Sequence, residues 1–170
     1  MPTIAIYSVK GGVGKTTIAV NLAWCSAAMG DADTIVWDCD PSGGSAFLLN
    51  IDGAADASET PRFRESETAK MLRGTPVENL RILPADCPVA SSCIGRVADT
   101  LEKEAARIFI DCPPVRDATS SAIVQTADLI VVPLPPSPLS TRAFTQVAAQ
   151  VKALGKSHPP MLPVLSMVDR

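Results

Sequence analysis

Three glycines within four positions, Gly11, Gly12 and Gly14, separate two segments of opposite character and limit the topologies open to the chain. Ahead of them, Thr3-Ile-Ala-Ile-Tyr-Ser-Val9 is short and rich in β-branched residues, which predicts a buried strand. Behind them, Thr16 to Met29 is alanine-rich, with Ile18, Leu22, Cys25, Ala28 and Met29 at helical spacing and Gly30 as a stop. Glycines between strand and helix let the backbone wrap closely and aim amide hydrogens at an anion such as a phosphate. The helix N-terminus behind the loop adds partial positive charge. In that setting Lys15 can reach β- and γ-phosphates, the Thr16 hydroxyl can ligate Mg²⁺, and Thr17 can bond an α-phosphate. The common pattern Gly-x-x-x-x-Gly-Lys-[Ser/Thr] needs a glycine where Val9 stands, so this loop is a variant. A plain turn that binds nothing is the competing reading, and it gives no reason for a lysine and two threonines in this order.

Beyond the loop, strands and helices keep alternating. The pattern predicts further strands at Asp33–Cys39, Leu80–Leu83, Arg107–Asp111, Leu129–Leu134 and Met161–Met167. Between them it predicts helices over 43–49, 66–73, 91–106, 117–126 and 140–154, with a polar loop over 51–66. Several strands are continuously apolar, which is the mark of a mainly parallel sheet covered by helices on both faces, an α/β fold. At roughly 100–200 residues per domain, 170 residues make one domain, 1–170. Ligands of such sheets bind at the carboxyl ends of the strands.

Three aspartates stand at those ends. Asp38 and Asp40 flank Cys39, and alternation in an extended chain turns both the same way, where they repel unless a cation is near. The competing reading is a surface turn opened by Asp40-Pro41. Asp111 closes a strongly apolar strand, a position where a carboxylate usually serves a ligand.

Lys10-Gly-Gly-Val-Gly-Lys-Thr-Thr17 resembles the deviant Walker A motif of the ParA/MinD/Soj ATPases. The likeness extends to Val36-Trp-Asp-Cys-Asp-Pro-Ser42, to the Walker B-like Ile108-Phe-Ile-Asp-Cys-Pro-Pro114, and to Ala127-Asp-Leu-Ile-Val-Val-Pro-Leu-Pro-Pro-Ser-Pro-Leu139. It spans most of the chain and leans towards the ParA branch. The resemblance implies a P-loop NTPase that binds ATP with Mg²⁺ and closes a nucleotide-dependent homodimer. By it, Gly11, Gly12, Val13, Gly14, Lys15, Thr16 and Thr17 hold the nucleotide, and Thr16, Asp38 and Asp111 hold the metal, both aspartates through water. Asp40 activates the attacking water, and Lys10 crosses to the partner's nucleotide to neutralise the transferred phosphoryl group, with Lys15 the other catalytic lysine. Such ATPases position plasmids, chromosomes or protein cargo in the cytoplasm, with a partner protein stimulating slow turnover. Pro113-Pro114 would stiffen a switch segment. For the family the chain is expected to be short at its C-terminus, ending at Met167-Val-Asp-Arg170 without the segments that hold adenine, contact DNA or anchor MinD on membranes. The alternatives are a nucleotide-gated interaction module with little hydrolysis, a biosynthetic ligase of the same fold, and a metal-cluster carrier.

Composition narrows the remainder. Fifteen lysines and arginines against eighteen acids give a net charge of −3, which argues against a strongly electrostatic nucleic-acid binder. Arg62, Arg64, Lys70 and Arg73 form a small basic cluster, a weak site for nonspecific DNA that reads better as a solvated face. The longest charge-free stretch, Thr16 to Gly30, has 15 residues, short of the roughly 20 a membrane-spanning helix needs. Five cysteines without an export signal read as free thiols. Trp24 and Trp37 read as core residues and His158 as exposed.

Overall fold

Residues 2–51, 65–155 and 158–168 are described by the computed structural model. The apolar, β-branched runs become strands: β1 Thr3–Ile6, β2 Thr34–Asp38, β3 Arg73–Gly74, β4 Leu80–Leu83, β5 Arg107–Asp111, β6 Leu129–Leu134 and β7 Met161–Leu165. The α-helices are α1 Lys15–Trp24, α2 Gly44–Leu48, α3 Ile94–Leu101, α4 Ala118–Thr126 and α5 Pro138–Lys152. The sheet order is β3-β4-β2-β5-β1-β6-β7, and every pairing is parallel except that of β3 with β4. The expected parallel sheet with helices on both faces is what the chain builds.

Alternation along the strands divides two cores. Ala5, Tyr7, Ile35, Trp37, Ile108 and Ile110 face the layer of α3, α4 and α5. Ile6, Val36, Ile82, Phe109 and Val131 face α1. Two prolines inside strands are explained by the ladder. Tyr7 N–H donates to the Val131 carbonyl, so the next donor of β6 towards β1 falls at Pro133, which has none. The β1–β6 ladder therefore ends where the chain leaves for the glycine loop. Pro163 sits in the outer strand β7. Ser166 N–H donates to Leu134 O, so by parity position 163 turns its missing N–H to the open edge, where no ladder bond is lost.

Several expectations need correction. The strand at 3–9 ends at Ile6. The helix at 91–106 is a 3₁₀ turn, Ser91–Cys93, followed by α3, which ends at Leu101. The helix at 66–73 is 3₁₀, Glu65–Met71, and Arg73–Gly74 leaves it to form the antiparallel edge strand. The first helix buries a different face from the expected one. Ala19, Val20, Ala23, Ser26 and Ala27 are buried, while Leu22, Trp24 and Met29 are exposed. Small side chains let this helix lie close to the sheet, and Trp24, at 44% exposure, is no core residue. Trp37 is. The loop predicted over 51–66 lies mostly outside the described residues, as do Arg62 and Arg64. Arg73, the last of the four basic residues, pairs with Asp86 at 2.6 Å. Among the described residues no helix is long and apolar enough to cross a membrane.

Candidate functional site

The order of strands places β5 beside β2, and the register sets Asp38 opposite Asp111. Both follow the parity of Val36 and Phe109, so both side chains belong to the α1 face. They are 2% and 0% exposed. Asp38 Oδ1 accepts from Asp40 N–H at 3.1 Å and Oδ2 from Ser45 N–H at 3.1 Å. Asp111 Oδ2 accepts from the Ser45 hydroxyl at 3.0 Å. Asp111 Oδ1 is buried and has no hydrogen-bond partner.

Burial and the neighbouring Asp111 push the Asp38 carboxyl up to about 7, against the bonds from Asp40 and Ser45. Burial also raises Asp111, and the hydroxyls of Thr16 and Ser45 and the charge of Lys15 oppose it. Thr16 acts on this carboxylate from nearby without giving Oδ1 a bond of ordinary geometry. Two dry, adjacent carboxylates with an orphan oxygen fit a cation. The surrounding donors are carboxylate and hydroxyl oxygens, the set a hard ion takes. Among the described residues no group of three or more His, Cys, Asp or Glu stands ready as a metal cage. Mg²⁺ takes one or two carboxylates and completes its shell with water and phosphate, and Asp38 and Asp111 are two.

The glycine loop lies against this pair. Gly12 and Gly14 adopt left-handed φ values of 68° and 89°, conformations that cost glycine little. Gly14 opens α1, and its carbonyl accepts from Ile18 N–H at 2.9 Å. No side chain caps this helix start. Lys15, in the first turn, is only 6% exposed. Gly44 packs so closely on Thr16 that a Cβ there would meet Thr16 Cγ2 at 3.1 Å. Lys15, Thr16, Asp38, Asp111 and Ser45 are thus brought together. Gly11, Gly12 and Thr17 are exposed and Val13 is buried beneath the loop.

Two predicted site residues sit apart. Strand β2 ends at Asp38, so the alternation expected to align Asp40 with it stops there. Asp40 opens a turn, its carbonyl accepting from Gly43 N–H and its Oδ1 from Ser42 N–H, each at 3.0 Å. The turn reading and the strand-end reading are both realised, one per aspartate. Lys10 Nζ donates to Ser137 Oγ at 3.4 Å, beside the start of α5. Ser45 was not anticipated, although it bonds to both buried carboxylates.

The segment after β5 is anchored from the other face. The Tyr7 hydroxyl lies 3.0 Å from the Val115 carbonyl and 2.9 Å from Gln150 Oε1. Gln150 Nε2 donates to Ser121 in α4 at 3.2 Å. At the start of α4, Asp117 Oδ1 accepts from Ser120 N–H at 2.8 Å, while Ser120 Oγ accepts from Asp117 N–H at 3.0 Å, a reciprocal cap. Burial holds the thiols of Cys39 and Cys112 protonated, well above the usual range.

Comparison with known proteins adds to this geometry. Residues 1–164 match the family described as "AAA domain". The chain is 29% identical to the sporulation initiation inhibitor protein Soj of Bacillus subtilis, over 90% of this chain and 66% of that protein. It is 30% identical to the chromosome partitioning protein ParA of Caulobacter vibrioides, over 98% of this chain and 70% of that protein. It therefore spans about two thirds of the length of these curated relatives. Among solved structures, the septum site-determining protein MinD of Pyrococcus horikoshii, complexed with Mg-ADP, superposes with a TM-score of 0.77 at 21% identity, over 96% of this chain and 69% of that one. At that identity the likeness concerns the fold.

Proposed function

The chain belongs to the ParA/MinD-type family of P-loop ATPases, and from that premise we propose that it is a Mg²⁺-dependent dimerisation switch that binds and hydrolyses ATP. One observation carries the reading. An uncapped helix start, a buried Lys15 and two buried carboxylates, one with an unpartnered oxygen, meet at a single strand-end crevice. The solved structure of like fold complexed with Mg-ADP supports the choice of ligand.

In this proposal residues 1–170 act as one domain. The backbone amides of Gly11, Gly12, Val13 and Gly14 bind phosphate oxygens, with those of Lys15 and Thr16 adding the helix charge. Lys15 neutralises the outer phosphates, and Thr17 bonds the α-phosphate. Thr16, Asp38 and Asp111 hold Mg²⁺, the two aspartates through water, and Ser45 fixes both carboxylates. Mg²⁺ supplies charge neutralisation across the phosphates. Asp40 orients the attacking water at the mouth of the crevice. Lys10 leaves Ser137 and reaches the nucleotide of a second copy. The closed dimer acts on cytoplasmic plasmid, chromosome or protein cargo, and a partner protein accelerates turnover.

The test is solution mass by light scattering on Asp40→Ala, which stalls hydrolysis. The mass is expected to double with Mg²⁺-ATP and to stay unchanged with Mg²⁺-ADP. Adding Lys10→Ala is expected to abolish the doubling. An unchanged mass with ATP demonstrably bound would overturn the dimer switch and leave a nucleotide-gated interaction module.

A further inference from the structure

At the carboxyl ends of β2, β4 and β5, reaching onto the α3 and α4 side of the sheet, lies a cavity of about 440 Å³. We propose that it binds a small amphipathic amine, an apolar body carrying one ammonium group. The cavity shares Asp40 with the proposed nucleotide crevice, and nucleotide is not required for the amine to bind.

The volume falls within the roughly 300–1,000 Å³ of small-molecule sites. Much of the lining is apolar, with Trp37, Val89, Ile94 and Pro114 among it. Trp37 and Ile94 are fully buried, so they form the floor behind the lining rather than its accessible surface. Burial lifts the Cys87 thiol, also on the wall, to about 11, so it stays neutral and behaves as a small apolar group.

Charge is distributed unevenly. Asp40 and Asp117 line the cavity with their carboxylates, Asp38 borders it at the strand end with its carboxyl turned to the α1 face, and among the described residues no lysine or arginine lines it. Arg116, between Val115 and Asp117 in sequence, is not on the wall. Both lining carboxylates are held by backbone: Asp117 Oδ1 by Ser120 N–H, and Asp40 Oδ1 by Ser42 N–H. An ionised carboxylate offers about four lone-pair sites, so each keeps acceptor capacity beyond that bond. A purely apolar guest would desolvate these acids without compensation, and an anionic guest would be repelled. An ammonium answers them, while its apolar body covers Val89, Pro114 and Val115, above the buried indole of Trp37.

Trp37 makes the site readable. The chain has two tryptophans, and Trp24 is exposed on the outer side of α1, so Trp24→Phe leaves Trp37 as the one indole reporter. Nucleotide-free Trp24→Phe protein is titrated near pH 7.5 with hexylamine, hexanol and hexanoate while Trp37 emission is followed. The expected result is a saturable change with hexylamine, at least about tenfold weaker binding of hexanol, and no saturation with hexanoate. Asp117→Asn keeps a capping side chain but removes its charge, and it is expected to cut the preference for amine over alcohol about fivefold. Val89→Phe, which fills the cavity, is expected to abolish the hexylamine response while the unfolding midpoint shows the protein still folded. Equal binding of hexylamine and hexanol would mean an apolar guest and overturn the proposal. So would a preference for hexanoate, an absence of saturation with any probe, or an amine preference untouched by Asp117→Asn.

Discussion

Two helices begin at the carboxyl ends of adjacent strands and treat their first turns in opposite ways. Helix α4, after β5, has its own anion: Asp117 accepts from Ser120 N–H and completes a reciprocal cap. Helix α1, after β1, starts at left-handed Gly14 with no capping side chain and with Lys15 buried in its first turn. Both termini carry the same unsatisfied amides and partial positive charge. At α4 the chain satisfies them internally. At α1 it adds further positive charge and leaves an outside anion to complete the turn. Beneath α1, Asp38 and Asp111 add two buried carboxylates beside that terminus, so both halves of a metal–phosphate ligand find their complement there.

The sharpest way to break this contrast is Lys15→Ala. It is expected to weaken ATP binding about 100-fold, near 2.7 kcal/mol, in an equilibrium titration with a fluorescent analogue. Unchanged affinity would mean that the two helix starts do not differ as described. Next comes Asp38, whose carboxyl titrates at about 7 when folded, against an ordinary value of 3.8. Between those values the folded protein holds a proton that the unfolded chain has lost. Nucleotide-free stability should therefore be full near pH 4, fall as pH rises to about 7, and level off above it. Asp38→Asn removes that slope and is expected to be more stable than the parent at pH 8 by roughly 3 kcal/mol in urea unfolding. A parent profile flat from pH 5 to 8 would contradict this account of the buried pair.

Asp117→Ala tests the other helix. Losing the cap is expected to cost about 1 kcal/mol, a fall of roughly 2–4 °C in Tm, with ATP affinity unchanged. The smallest effect is expected from Gly44→Ala. Its Cβ meets Thr16 Cγ2 at 3.1 Å and presses on the hydroxyl-bearing side chain. ATP binding should weaken only about two- to fivefold, under 1 kcal/mol, and only when Mg²⁺ is present. An equal loss in Mg²⁺ and in chelator would place Thr16 away from the metal.

Much of this frame is legible in the sequence because the signals are local. Arg107–Asp111 and Leu129–Leu134 appear at their predicted bounds, since continuous apolar runs end there at charge, proline or both. The glycine loop is equally local. What is not legible depends on neighbours far along the chain. Asp38 meets Asp111 only because β5 inserts between β1 and β2, and no spacing in sequence reports strand order. Ser45 becomes a site residue for the same reason: its two bonds reach carboxylates on different strands. The two-residue β3 is too short to show a period. Helix α1 misleads because it is apolar around much of its circumference, and close packing on the sheet selects its alanines over Leu22 and Trp24.

The central claim is that the open start of α1 and the carboxylate pair together form one magnesium–nucleotide site. Calorimetric titration of the full chain with ATP, in Mg²⁺ and again in chelator, tests it most directly. The account predicts one saturable site per chain in Mg²⁺ and affinity at least about tenfold weaker without it. Binding of equal strength in both conditions, or no binding in either, would contradict it.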